Sequence, residues 1–117
     1  MNLTGKWKIL TAELGGKALP AKSFKKMVLE LDPTSYQLIE GKVIDSGLVE
    51  IDAKSVPQSM TITGVFGPNK GKAYHCIFRF EGEDLIMCYN LGGDGPPKEF
   101  STADHPLFYL VRYQRIS

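Results

Sequence analysis

A chain of 117 residues, 43% hydrophobic and 23% charged, builds one domain (1–117) with a genuine core and has no length for a second. Its formal net charge of +1 supplies no electrostatic steering towards nucleic acid or an anionic membrane. No nucleic-acid partner is expected, and Lys17, Lys22, Lys25 and Lys26 read as a solvated face.

The opening MNLTGKWKIL lacks the basic start and apolar run of a signal peptide. Nor is any apolar run long enough to span a bilayer. The expectations are therefore no membrane insertion and a cytoplasmic location for the chain as given, with export only if a leading segment was trimmed.

Residues 4–14 place Trp7, Ile9 and Thr11 on one face and Lys6 and Lys8 on the other, the alternation of a first strand. Gly15-Gly16 turns it. Pro20 can then open a short helical turn over 21–26, the one helix expected. Residues 27–31 alternate as a second strand (Met27, Leu29 and Leu31 inward), ended by Asp32-Pro33. A third over 35–39 turns at Gly41-Lys42 into a fourth over 43–51. Asp45, Ser46 and Gly47 interrupt that strand, and a bulge or strong bend would account for the glycine. A fifth strand, 59–66, points Met60, Ile62 and Phe66 inward, with Thr61 and Thr63 outward.

The clearest pattern is KAYHCIFRFEGEDLIMCYN, residues 72–90, where two alternating runs flank a Gly82-Glu83 turn. Gly82 supplies the positive φ that a type II′ hairpin requires first. This register sets Phe80 opposite Leu85, Phe78 opposite Met87 and Cys76 opposite Tyr89. Cys76 then faces inward and Cys88 outward, so the thiols cannot bridge and stay free. The Gly/Pro-rich stretch after Asn90 reads as the longest loop, and residues 107–116 as the last strand. About eight short strands joined by tight turns predict a single antiparallel up-and-down β-barrel. The last strand closes on the first to remove both sheet edges.

Gly5-Lys6-Trp7 resembles the Gly-x-Trp signature of the lipocalin-like (calycin) barrels. Together with GKWKILTAELGGKALP, GPNKGKAYHCIFRFEGEDLIMCYN and PPKEFST, it makes nearly the whole chain similar to the planctomycete-type lipocalin-like domain, a bacterial family of uncharacterised function. The resemblance implies an eight-stranded barrel that encloses a small apolar ligand in many calycins. It also implies that Trp7 packs across the closed end beneath an arginine of the last strand. Arg115 is the candidate and Arg112 the alternative.

Catalysis finds little footing. Asp104 and His105 diverge on an extended chain, as do His75 and Cys76, and no Gly-x-Ser-x-Gly elbow supplies a nucleophile. The His and Cys spacing matches no usual metal site, and neither Gly-rich loop carries a phosphate-binding pattern. No catalytic residue, metal or cofactor is expected. The inward set is rich in tyrosine and methionine. Tyr36, Met60, Tyr74, Phe78, Met87 and Tyr89 are the candidate walls of a pocket for a small, mostly apolar molecule, opening at the end opposite Trp7. The same bulky residues would also fill an eight-stranded barrel. In that alternative the barrel is an interaction or homodimerising module: Phe108 and Leu110 lie on the outward face of the last strand and are covered by the short helix, by the long loop or by a partner. Monomer and homodimer both remain open.

Overall fold

The Gly82-Glu83 hairpin forms in the register that its alternation dictates. Phe80 pairs with Leu85, Phe78 with Met87 and Cys76 with Tyr89. Gly82 has φ +63°, and no non-glycine residue among those described has positive φ. The turn is therefore type II′ rather than I′.

The computed structural model describes residues 2–117. Its strands are β1 (Gly5–Leu14), β2 (Lys17–Ala18), β3 (Val28–Leu31), β4 (Ser35–Glu40) and β5 (Lys42–Asp52), then β6 (Ser59–Phe66), β7 (Ala73–Glu81), β8 (Asp84–Asn90) and β9 (Phe108–Arg115). The two-residue β2 folds back on the end of β1. The other eight pair antiparallel in chain order, and β9 closes on β1. The result is the closed, eight-stranded, up-and-down barrel expected from the sequence. The helical turn is one 3₁₀ turn, Ala21–Ser23, following extended Pro20. It drops Phe24 into the core.

Three register shifts bend the sheet, and each reverses the alternation that follows it. Leu10 is the extra residue in β1 against β9, so Ala12 is buried and Thr11, expected inside, is exposed. Ile44 is the extra residue in β5 against β4. Val65 is the extra residue in β6 against β5, which turns Phe66 from its expected inward position to 55% exposed. Beside this last shift, Gly47 is obligatory. A Cβ there would lie 2.0 Å from the Thr63 carbonyl oxygen and 2.8 Å from the Tyr36 ring.

Trp7 is wholly buried at one end of the barrel. Its Nε1–H donates to the Leu3 carbonyl at 3.0 Å, and the Arg115 guanidinium carbon lies 4.2 Å from its ring centroid. Arg115 is also the cross-strand partner of Trp7, and it donates to the carbonyls of Thr4, at 2.8 Å, and Asn2. Gly5 leaves room for this arginine: its φ is +143°, and a Cβ would meet Arg115 Nη1 at 2.5 Å. Arg112 is not the partner. It stands an odd number of positions from Arg115, so it emerges on the outer face and pairs with Asp84 at 2.9 Å and Glu81 at 3.2 Å.

The long connection over 91–107 is held without regular structure. Asn90, 3% exposed, donates to Asp94 and to the Gly95 carbonyl, and accepts from Gly92 N–H at 2.8 Å. Buried Thr102 donates to Glu13 and accepts from Gly16 N–H at 2.9 Å. This connection covers outward-facing Cys88, and its His105 stacks on Phe108 with centroids 3.8 Å apart.

Arg115→Ala is expected to lower the unfolding free energy in a urea titration by about 1–3 kcal/mol, for the lost cation–π contact and hydrogen bonds. Gly5→Ala costs more, because backbone strain is added to the clash. Arg112→Ala, whose ion pairs face solvent, has the smaller effect. An Arg112 effect equal to that of Arg115 would show that the Trp7 contact does not hold the end shut.

Candidate functional site

The barrel interior is unevenly filled. Trp7, Phe78, Leu85 and Val111 pack among the core residues. Elsewhere a cavity of about 270 Å³ remains. Met27, Asn69 and Leu91 contribute to its lining. They come from the β2–β3, β6–β7 and β8–β9 connections, which antiparallel wiring places at the end opposite Trp7.

Of the six candidate wall residues, Tyr36, Tyr74, Met87 and Tyr89 line this cavity. Met60 and Phe78 do not. They are buried in the parts of β6 and β7 nearer the Trp7 end, and the Cys76 thiol rests 3.6 Å from the Met60 carbonyl oxygen. Alternation tells which side of a sheet a residue faces, but not whether its neighbours fill the space beside it. The lining also contains Asp45, Asn69, Leu91 and Tyr113, which the sequence reading did not select. Asp45 faces in because of the Ile44 bulge. Asn69 and Leu91 belong to connections, where no periodicity marks a facing. Tyr113 carried the one available signal, since it shares a face with Tyr109 in the last strand.

The polar groups form two sets. In the first, Tyr74 Oη donates to Asn69 Oδ1 at 3.0 Å and Asn69 Nδ2 donates to Asp45 Oδ2 at 2.8 Å. Tyr36 Oη donates to Asp45 Oδ1 at 3.2 Å. In the second, the Tyr89 and Tyr113 hydroxyls lie 2.6 Å apart, with Tyr89 Oη 3.4 Å from Met87 Sδ. Burial, followed by the adjacent Asp45 charge, pushes the Tyr36 phenol well up. Burial first, then neighbouring tyrosines, does the same for Tyr89 and Tyr113, and burial alone raises Tyr109. These phenols stay protonated at neutral pH and act as hydrogen-bonding groups rather than bases. Phenols, a carboxylate and an amide on an otherwise apolar wall can orient a bound molecule.

The other candidate chemistries are scattered. His75 bonds Thr61 through Nδ1 at 3.1 Å, His105 lies on Phe108, and Asp104 is exposed. Cys76 is in the barrel core and Cys88 is under the long connection, both as free thiols. No helix among the described residues is long and apolar enough to cross a membrane.

The fold and site thus define a class: a closed antiparallel barrel with one sealed end and an internal, partly polar cavity. The chain matches no family model, no curated protein and no solved structure.

Burial pushes the Cys88 thiol up to about 11 from an ordinary value of about 8.5. Above that ordinary value the unfolded chain gives up this proton while the folded chain keeps it. Unfolding free energy should therefore be fully retained below the unfolded value and fall as pH rises towards about 11. The Cys76 thiol, also raised by burial, adds to the same fall, and the raised tyrosines add to it above their ordinary value of about 10. Cys88→Ala should flatten the earlier part of the decline in denaturation curves recorded across that range. An unchanged slope would show that the folded thiol ionises normally.

Proposed function

We propose that the chain is a lipocalin-like binding barrel, and that its function is to hold a small, mostly apolar molecule without transforming it. The observation that carries this reading is the cavity, apolar on most of its wall and reaching the end opposite Trp7. Its volume of about 270 Å³ lies just below the usual range of drug-sized sites, about 300–1,000 Å³, so the occupant is compact. The Gly5–Trp7–Arg115 arrangement supports the same family reading, because it is what the Gly-x-Trp resemblance implies. The two polar sets would fix orientation, and the surrounding apolar wall would provide most of the affinity.

A second reading, self-association, is favoured by a different surface from that expected. Phe108 and Leu110 are half-buried. Leu48, Val65 and Phe66, by contrast, lie exposed on the adjacent strands β5 and β6. Phe66→Asp should abolish any concentration-dependent dimer in sedimentation velocity. A dimer untouched by this change would rule out that face.

Native mass spectrometry of the undenatured protein tests the binding reading. The expected spectrum shows an added small-molecule mass that is lost on denaturation, or gained on incubation with a compact apolar compound. Leu38→Trp, which puts an indole into the cavity wall, should remove that mass while the protein stays folded. Trp7 is a poor reporter, since it is buried outside the lining. A bare protein that takes up no apolar compound would sink the proposal.

A further inference from the structure

The most unusual group in the cavity is Asp45. It lines the cavity yet is only 7% exposed. Its inward position is a product of the bulge. Ile39 pairs with Val43 and Leu38 pairs with Asp45, leaving Ile44 as the extra residue. A regular ladder would set Ile44 opposite inward-facing Leu38 and turn Asp45 out to solvent. The chain therefore departs from regular pairing in a way that replaces an isoleucine inside the barrel with a carboxylate. Bulges recur beside functional sites because they re-aim a side chain in this way.

Among the described residues, no cation pairs with the carboxylate. The ion pairs among the described residues join Lys6 to Glu30, Arg79 and Arg112 to Glu81, and Arg112 to Asp84. Asp45 has only the neutral donors Tyr36 and Asn69, one on each oxygen. A carboxylate has about four lone-pair sites, so two remain open. Burying a carboxylate without a cation is costly, and apolar packing against it does not offset that cost. The surroundings suit an ammonium group. Three donors can meet the remaining lone pairs, and the rings of Tyr36 and Tyr74, both on the cavity wall, can offer their negative faces. The β6–β7 connection holds this arrangement. Gly67, at φ +99°, passes so close that a Cβ would meet the Ile44 carbonyl oxygen at 2.5 Å and the Asp45 Cα at 3.0 Å. That approach brings Asn69 within reach of Asp45.

We propose that the ligand of this cavity is a compact apolar amine, its protonated nitrogen docked on Asp45 and its hydrocarbon part against the Leu, Ile and Met wall. The inference rests on the reading of the cavity as a ligand site and names the chemical class that the site selects.

Isothermal titration of the whole protein with matched compounds tests it: 2-phenylethylamine against 2-phenylethanol and phenylacetate, and octylamine against octanol. Each amine should bind about tenfold or more tighter than its alcohol, the size expected for one charge-assisted hydrogen bond, and phenylacetate should bind weakest. Asp45→Asn should bring the amine down to the affinity of the alcohol and leave the alcohol nearly unchanged. The wild-type ratio decides the matter even where that variant fails to fold. Amines and alcohols binding equally well to the wild type would overturn the amine inference and leave the apolar site standing. No heat from any of the five compounds would overturn both.

Discussion

The pairing of β9 with β1 is the contact on which the rest of this molecule depends. Without it the sheet has two unpaired edges and no inside. With it, every strand in the ring has two neighbours, and the inward faces share a single core. The chain fastens this seam at the end where β1 begins and β9 finishes. Trp7 and Arg115 are opposite one another across the seam, so the stacked pair joins first and last strands directly. Gly5 is needed because the arginine occupies the space a side chain would take. The Gly-x-Trp spacing therefore has a local physical meaning: a gap and a platform, two residues apart, for one guanidinium.

Closing a ring of only eight strands also demands strong bending, and the three bulges supply it. They mark the boundary of what could be read from the sequence. The β7–β8 hairpin has no bulge, and alternation gave its pairing and turn residue by residue. Strands β1, β5 and β6 do have them, and the facings of Thr11 and Phe66 were misread beyond the extra residue. A period-two pattern cannot show where a period is skipped. Gly47 did carry a signal, and a bend near it was expected. Its side chain is excluded by the Thr63 carbonyl and the Tyr36 ring, contacts that only the pairing of three strands creates.

The site was legible to the same degree. Tyr36, Tyr74, Met87 and Tyr89 were found because inward facing suffices to bring them to the wall. Met60 and Phe78 share that facing but do not border this cavity, a distinction that alternation does not carry. The polar end of the cavity was invisible for another reason. Asp45 depends on a bulge, and Asn69 depends on a connection whose course is fixed by Gly67. The long connection over 91–107 is irregular, as its glycines and prolines predict. Its order comes from Asn90 and Thr102, each buried with its hydrogen bonds directed to backbone or to a single side chain.

Stability alone does not account for the interior. Phe78, Leu85 and Val111 are buried in the core, yet the same interior keeps a cavity of about 270 Å³. Side chains that border open space lose dispersion contacts they would have in a packed interior, and an inward carboxylate adds a desolvation cost. Both departures meet at Asp45, which lines the cavity because of the bulge at Ile44. Local consistency fails in folded proteins mainly where function requires it. The Ile44 bulge thus does more than bend the sheet: it brings a carboxylate to open space that Tyr36, Tyr74, Tyr89 and Tyr113 also border.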